Sequence, residues 1–287
     1  MAEQFIQADG VTLCAEAFGE RTAPATLLIS GASASMDWWD AGFCLRLAAQ
    51  GRRVIRYDHR DTGRSTAYPP GAPGYQGADL CADALTVAAA LTGASRAPVQ
   101  LVGVSMGGGI AQRIAAEHPD RVASLALIAT SPIVTGPDVA PLPPPAPRIQ
   151  VQSADPGPTP DWTDRAAFVE RIVAGEALFA GSLPSDVAAL RTLAGAVFDR
   201  TTDVAAGQTN HWILGDDHPF TGSLSAITAP TVVLHGTEDP LFPLPHGEAL
   251  AAAIPGARLV PLRGMGHQVP PPPLWDTVIA ELAALPA

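Results

Sequence analysis

A serine flanked by glycines, in the pattern Gly103-x-Ser105-x-Gly107, lies where an apolar run changes into a helical pattern. Residues 99–104 have the character of a buried strand, and residues 110–117 have apolar side chains at helical spacing. A tight turn between a strand and a helix projects its middle side chain outward, and its flanking positions must lack side chains. The free N–H groups at the start of the helix point to the same place. The pattern predicts Ser105 as a nucleophile; the alternative is an ordinary Gly/Ser turn.

A serine hydroxyl becomes a good nucleophile only when a base takes its proton and a carboxylate orients that base. Two later strand ends offer these groups. Asp239 follows the predicted strand 231–235, and His267 follows the predicted strand 257–262. Because the carboxyl ends of parallel strands meet at one edge of a sheet, we expect both side chains near Ser105. The chain order Ser, Asp, His is the one that this arrangement requires, and it predicts a catalytic triad.

Other interpretations of these positions stay open. Asp239 precedes a proline and is also a common kind of turn residue, and Glu238 is the nearest competing acid. His267 could instead be a surface histidine without a catalytic role. Of the other histidines, His211 and His218 lie in a predicted insertion and could contact a substrate, although a structural role is the better expectation.

Two backbone N–H groups are needed to bind the oxyanion of an acyl-transfer intermediate. One comes from Met106, the residue after the nucleophile. The other is expected from Ala32, in the loop that follows the predicted strand 26–31. Trp38 and Trp39 come just after this loop. They could line an apolar substrate pocket or belong to the core, and the sequence favours neither.

These groups need a sheet to position them. Predicted strands alternate with predicted helices, which is typical of right-handed βαβ units and a mostly parallel sheet. The fold class predicted is therefore α/β, with helices flanking the sheet. Residues 4–17 predict an antiparallel hairpin that turns at Asp9-Gly10. Further helices are predicted near 78–91, 245–253 and 273–284.

The alternation is interrupted by residues 133–222. Their first part, residues 133–161, is rich in proline and predicts a long loop. Helices are predicted after it, near 163–180, 184–199 and 203–214. We expect residues 1–132 and 223–287 to form the core and residues 133–222 to form a helical cap over the sheet edge that carries the site.

The composition excludes several classes of function. The 287 residues carry a net charge of −11, which argues against nucleic acids and anionic membranes as partners. All seventeen basic residues are arginines, so Schiff-base chemistry and a Walker-type phosphate lysine are excluded. The three cysteines, Cys14, Cys44 and Cys81, have no metal-binding spacing and fit a reducing cytoplasm. No signal peptide, membrane span, metal or cofactor is expected.

A charged loop at residues 58–65 raises the question of phosphate binding. Its glycine spacing is wrong for a phosphate loop, and lysine is absent. We expect Asp58, Arg60 and Arg64 to hydrogen-bond one another and so fix the turn.

The chain resembles the α/β-hydrolase superfamily over essentially its whole length. The resemblance rests on Ser30-Gly31-Ala32, residues 58–65, Gly103-Val104-Ser105-Met106-Gly107, Asp239 and Gly266-His267. More narrowly, residues 54–66 and 239–247 are similar to the aclacinomycin methylesterases, which cleave a methyl ester on an anthracycline. The resemblance implies Ser105 as nucleophile, His267 as base, Asp239 as orienting acid, and neither metal nor cofactor.

The function predicted is that of a serine hydrolase. It would cleave a carboxylic ester of a small, largely apolar molecule through an acyl-enzyme. A methyl ester of an aromatic polyketide is the substrate that the resemblance implies. Two alternatives stay open: the same triad acting on a lactone, an amide or a C–C bond, and a small-molecule binder with slow turnover.

Overall fold

The structure, a computed structural model, describes residues 2–93, 97–134, 141–215 and 219–287. Within these ranges, eight strands form one sheet. The strands are β1 (Gln4–Ala8), β2 (Val11–Phe18), β3 (Ala25–Ile29), β4 (Arg53–Tyr57), β5 (Val99–Val104), β6 (Val122–Ile128), β7 (Thr231–Gly236) and β8 (Arg258–Leu262). Their order across the sheet is β1-β2-β4-β3-β5-β6-β7-β8. β1 and β2 form an antiparallel hairpin, β2 pairs antiparallel with β4, and all other pairs are parallel.

Helices connect most of the parallel strands. They are α1 (Ala41–Ala48), α2 (Gly77–Thr92), α3 (Met106–Glu117), α4 (Pro147–Ala154), α5 (Arg165–Phe179), α6 (Val187–Arg200), α7 (Val204–Thr209), α8 (Pro245–Ala253) and α9 (Trp275–Ala283). None of these described helices combines the length and apolar character that crossing a bilayer requires.

Two apolar layers enclose the sheet. On one face, side chains of α2, α3 and α8, such as Leu80, Ile114 and Leu250, pack against the strands. On the other face, α1 and α9 contribute Phe43 and Val278. Because the central strands are covered on both faces, β3, β5 and β7 are buried along their whole length and contain continuous apolar runs.

A helical segment, residues 147–212, lies between β6 and β7 in the chain and consists of α4 to α7 followed by a short 3-10 helix, Asn210–Trp212. Three of its helices begin at an aspartate whose carboxylate accepts backbone N–H bonds of the first turn: Asp164, Asp186 and Asp203. Its own apolar cluster is small and centres on Phe168 and Val197. Its stability therefore depends on contacts with the loops at the edge of the sheet.

The structure confirms the α/β fold class, the hairpin at Asp9-Gly10 and the helices predicted after residue 162. The proline-rich stretch is the main difference, because residues 147–154 form α4 where a loop was predicted. Pro147 occupies the first helical position, where a missing N–H costs no hydrogen bond. The division into core and cap at residues 133 and 222 stays a prediction.

Candidate active site

Ser105 occupies a strained turn between β5 and α3. Its backbone φ is +52° and its ψ is −118°, a combination that a non-glycine residue adopts only under constraint. A Cβ on Gly103 would collide with the carbonyl of Gly107, and one on Gly107 would collide with the carbonyl of Ile29. Thr130 donates its hydroxyl proton to the Ser105 carbonyl at 2.8 Å. The turn therefore has the close backbone approach that the sequence pattern predicted, and the backbone of Ser105 is strained.

The structure brings together the three residues predicted from the sequence. The Ser105 hydroxyl lies 3.0 Å from Nε2 of His267, and Nδ1 of His267 lies 2.9 Å from Oδ2 of Asp239. Because a carboxylate only accepts hydrogen bonds, Nδ1 carries the proton and donates it to Asp239. Nε2 is then free to accept the proton of the Ser105 hydroxyl. This is the arrangement that a general base for a serine nucleophile requires.

Backbone groups fix both partners of the serine. Oδ1 of Asp239 accepts the N–H groups of Leu241 and Phe242 at 2.9 and 2.8 Å, and the residue is only 4% exposed. The His267 N–H donates to the carbonyl of Phe179, the last residue of α5, at 2.9 Å. The imidazole also lies between the rings of Phe179 and Phe242, at centroid distances of 5.9 and 5.3 Å.

The competing acid and a neighbouring histidine point elsewhere. Glu238 accepts a hydrogen bond from the Ser182 hydroxyl at 2.8 Å. His235 is fully buried and donates from Nε2 to the Phe242 carbonyl at 2.7 Å, and burial lowers its pKa. Neither side chain contacts Ser105 in the hydrogen bonds of the described residues.

The loop predicted to carry the second oxyanion donor lies against the nucleophile. A Cβ on Gly31 would be 3.4 Å from the Cβ of Ser105, which shows how closely the loop approaches. Ala32 follows Gly31 directly. Among the described residues, neither the Ala32 N–H nor the Met106 N–H donates to a protein acceptor. Both groups are therefore available to a ligand, and their role in the reaction stays a prediction.

The two tryptophans after this loop have different surroundings. Trp39 is completely buried and packs on Phe43, with ring centroids 5.7 Å apart, in the core next to α1. It corresponds to the core alternative and is not accessible to a substrate. Trp38 is partly exposed, and its contact with substrate stays a prediction.

The charged loop does not form the mutual cluster expected. Arg60 pairs with Asp83 of α2 in a buried bidentate ion pair at 2.7 and 2.9 Å. Asp58 accepts the backbone N–H of Arg64 at 3.0 Å, but its ion-pair partner is Arg200, at the end of α6, at 2.6 Å. The prediction was wrong in its partners because both come from elements distant in the chain.

Glu176 is a residue of the site region that sequence reasoning missed. It is half-buried on α5, one turn before Phe179, and lies on the same helix face. Burial raises the pKa of Glu176 to about 7, an effect opposed by the nearby His267. No motif marks this residue, although its position one turn before the end of a predicted helix could have drawn attention to it.

A cleft of about 960 Å³ lies beside the elbow, between α2, α3 and residues 211–225. Much of its wall is apolar, including Leu80, Ile110 and Phe220, and Met106 also lines it. His211 contributes to the wall but is 7% exposed and bound to core loops, whereas His218 lies outside the described residues. Among the described residues no cluster of side chains could hold a metal ion.

Known proteins share this architecture. The profile of the alpha/beta hydrolase fold family matches residues 24–270. The chain is 32% identical over 286 residues to the rhodomycin D methylesterase DauP of Streptomyces sp. (strain C5), with 94% of this chain and 93% of the relative covered. It is also 32% identical over 290 residues to the rhodomycin D methylesterase DnrP of Streptomyces peucetius, with the same coverage.

Solved structures resemble it at lower sequence identity. The esterase RhEst1 from Rhodococcus sp. ECU1013 superimposes with a TM-score of 0.73 at 22% identity, covering 99% of this chain and 100% of the other. The enol-lactonase from Burkholderia xenovorans LB400 gives a TM-score of 0.70 at 24% identity, covering 97% and 98%. At this level of identity the likeness concerns the fold.

Proposed function

The chain belongs to the alpha/beta hydrolase fold family, and on that basis we propose that it is a serine hydrolase that cleaves the carboxylic ester of a small, largely apolar molecule. The observation that carries the proposal is the chain of hydrogen bonds from Ser105 through His267 to Asp239. A nucleophile, a base and an orienting carboxylate in contact are what acyl transfer needs. The names of the two methylesterase relatives support ester hydrolysis.

The proposed reaction has two halves. Oγ of Ser105 attacks the ester carbonyl carbon while Nε2 of His267 takes its proton, and the carbonyl oxygen becomes an oxyanion. The N–H groups of Ala32 and Met106 bind this oxyanion. The intermediate collapses to an acyl-enzyme, and His267 gives its proton to the departing alcohol. Water then attacks the acyl-enzyme, His267 takes the proton of the water, and the acid leaves as Ser105 recovers its proton.

The substrate proposed is bulky and mainly apolar. The cleft beside Met106 has the volume typical of pockets for small organic ligands, and Leu80, Ile110 and Phe220 supply apolar surface. A methyl ester of an aromatic polyketide fits this description and the two methylesterase relatives. We include in the proposal that residues 133–222 act as a cap over the site, since Phe179 contacts His267.

The location proposed is a reducing cytoplasm. Support comes from Cys14, Cys44 and Cys81, which are all buried and free. Burial raises the pKa of the Cys14 and Cys44 thiols to about 12, so they are poor nucleophiles.

An activated aryl ester such as p-nitrophenyl acetate tests the proposal. The wild type should show a burst of one p-nitrophenol per chain, and Ser105→Ala should lower turnover about 10⁴-fold or more. Ser131→Ala is a matched control, because the Ser131 hydroxyl also contacts a histidine, His246, at 2.8 Å but lies outside the elbow. Turnover that survives Ser105→Ala would refute the assignment.

A substrate panel distinguishes the alternatives. Esters, lactones, amides and C–C substrates are compared at one enzyme concentration, with each rate normalised to the Ser105 burst. Faster hydrolysis of methyl esters of polycyclic aromatic acids than of the other classes is expected. Stoichiometric binding without turnover on any ester would instead favour the small-molecule binder.

A further inference from the structure

Three consecutive residues of the helical segment, Asn210 to Trp212, bind the loops of the core. The Asn210 side chain is buried and donates to Oδ2 of Asp61 at 2.9 Å. Nδ1 of His211 accepts the backbone N–H of Ser33 at 3.0 Å. The indole N–H of Trp212 donates to the hydroxyl of the same serine at 2.9 Å. Two of the three side chains therefore hold one residue of the loop that carries Ala32.

The partners of His211 define its protonation state. A backbone N–H can only donate, so the Nδ1 that accepts from Ser33 carries no proton. Nε2 lies 3.0 Å from the carbonyl of Arg60, which can only accept, so Nε2 carries the proton. The ring is 7% exposed, and burial lowers the pKa of His211. His211 is therefore a neutral imidazole that links two backbone groups of the core.

A second buried histidine holds the other end of the same loop. Nε2 of His59 lies 3.1 Å from the carbonyl of Ser30 and donates to it. The His59 ring meets the His211 ring edge to face, at a centroid distance of 5.8 Å and an angle of 88°. Gly31 and Ala32, the residues next to the nucleophile, thus lie between a fixed carbonyl at Ser30 and a fixed N–H at Ser33.

The loop needs such support because its backbone is strained. Ser33 has a φ of +61°, in the left-handed region that a residue with a Cβ avoids unless its surroundings stabilise it. A change in the backbone angles of Ser33 would rotate the peptide group that joins it to Ala32. That rotation would move Ala32 and change the direction of the Ala32 N–H. An oxyanion donor is effective only when it is held in place before the reaction begins.

We propose that His211 is a positioning residue for the reaction: its hydrogen bond to the Ser33 N–H holds the oxyanion loop so that the Ala32 N–H points at the developing oxyanion. The helical segment therefore completes the oxyanion hole through this contact. The inference rests on the proposed function, because it assigns a role within that reaction. His211 itself touches neither Ser105 nor the reacting atoms.

Substitutions at position 211 test this role through kinetics. Loss of an oxyanion-hole donor typically lowers kcat by 10²–10³-fold, and a displaced donor is expected to cost less. His211→Phe should therefore lower kcat by roughly 10- to 100-fold, with KM changed less than about threefold. His118→Phe is the control for the same change at an exposed histidine. An unchanged kcat in His211→Phe would overturn the proposal.

Two conservative variants separate the hydrogen bonds of His211. In His211→Asn the amide oxygen can take the place of Nδ1 and accept the Ser33 N–H. In His211→Gln the amide nitrogen can take the place of Nε2 and donate to the Arg60 carbonyl. Asparagine should restore kcat to within about threefold, and glutamine should not. Equal rescue by both would show that His211 only fills space or holds Arg60, against the proposal.

Hydrogen–deuterium exchange provides a readout that does not need turnover. A peptide covering residues 30–36 should exchange at least tenfold faster in His211→Phe than in the wild type, while a peptide from β6 should not change. If the wild type hydrolyses no ester, the proposed function fails, and exchange alone then judges whether His211 holds the loop. Unchanged exchange at residues 30–36 overturns the inference in either case.

If the His211→Phe protein does not fold, a variant at an exposed residue is used in its place. Trp212→Phe removes the second bond to Ser33, and the indole is 64% exposed. A two- to fivefold fall in kcat with faster exchange at residues 30–36 is expected. Unchanged exchange at residues 30–36 in both Trp212→Phe and His211→Gln, which lacks the acceptor that replaces Nδ1, would overturn the proposal.

Discussion

The sheet edge and the helical segment are stabilised by different kinds of contact. At the sheet edge, Ser105 and Asp239 follow the buried strands β5 and β7, and His267 follows the partly exposed edge strand β8. Backbone N–H and carbonyl groups fix the two partners of the serine. The helical segment has a small apolar cluster of its own. It is held to the core by polar side chains such as Arg200 and His211.

The two regions differ in how far apart in the chain the residues that form their stabilising contacts lie. Ser105 and Asp239 obtain their backbone geometry from the turns next to them, whereas His267 also depends on the carbonyl of Phe179 at the end of α5. Several polar contacts of the helical segment join residues far apart in the chain, by 142 positions between Asp58 and Arg200 and by 178 between Ser33 and His211. We therefore expect changes at the sheet edge to affect catalysis and most changes in the segment to affect stability.

Asp239→Asn is expected to have the largest effect. An asparagine can present its N–H₂ group to Nδ1 of His267, which favours the wrong tautomer and leaves no base for Ser105. We expect kcat to fall by roughly 10³–10⁴-fold with little change in the free energy of unfolding. Aryl ester turnover and urea unfolding measure the two quantities.

Glu238→Gln is the matched control for this variant. Glu238 is the next residue and an acid, but it bonds to Ser182. Its kcat should stay within about threefold of the wild type. If Glu238→Gln loses as much activity as Asp239→Asn, the assignment of the acid is wrong.

Arg200→Met tests the helical segment. Arg200 pairs with Asp58, Asp37 and Glu3, and Asp58 is completely buried. Burial raises the pKa of Asp58, and Arg200 opposes that shift. Removing the guanidinium leaves a buried carboxylate with only backbone donors, which should lower the free energy of unfolding by about 3–5 kcal/mol. Urea unfolding at pH 7 measures the loss.

Arg200→Lys keeps the positive charge and is the control for this change. It should lose less stability than Arg200→Met, because an ammonium can still pair with Asp58 but cannot form the planar fork. In the folded Arg200→Met protein, kcat should stay within about tenfold of the wild-type value. A fall as large as that of Asp239→Asn would break the distinction between the two regions.

The sequence predicts the sheet edge well and the segment contacts poorly. Ser105, Asp239 and His267 could be found because each belongs to a short pattern at the end of an apolar run. Arg200 and His211 belong to no such pattern. Their partners become neighbours only when the helical segment packs on the core. A single sequence does not indicate which residues of the two regions will then be in contact.

The errors in the charged loop have the same origin. Asp58, Arg60 and Arg64 are close in sequence, and local reasoning joined them. The partner of Arg60 is instead Asp83, which the packing of α2 brings into a buried pair whose bidentate geometry offsets the cost of desolvating both charges. The fold class was predictable because strand and helix periodicity repeats many times along the chain. The helix α4 was not predicted because it begins at a proline and follows a proline-rich stretch, which is more typical of a loop.

Glu176→Gln tests whether one segment residue also belongs to the site. The carboxyl of an unfolded chain ionises near pH 4.5, whereas burial raises the pKa of Glu176 to about 7 in the folded protein. Between these values the folded state binds more protons, so the wild type loses stability as pH rises. Glutamine does not ionise, so the variant should gain about 1–3 kcal/mol over the wild type at pH 8 and almost nothing at pH 4.

Urea unfolding from pH 4 to 8 measures this difference, and Glu248→Gln, at an exposed carboxylate of α8, is the control. A difference between wild type and Glu176→Gln that stays constant over this range would contradict the prediction. If Glu176→Gln also changes KM for the ester, the carboxyl contacts substrate, and the boundary between the two regions runs through α5.

The smallest effect is expected from Arg191→Met. Arg191 forms a bidentate pair with Glu170, at 2.9 and 2.8 Å, between the exposed faces of α6 and α5. The geometry matches that of buried pairs, but the two side chains are 42% and 64% exposed, so water screens them. Its loss should lower the free energy of unfolding by at most about 1 kcal/mol, and 1 M NaCl should abolish the difference. A salt-resistant loss above about 2 kcal/mol would mean that pair geometry, and not burial, determines how polar contacts stabilise this segment.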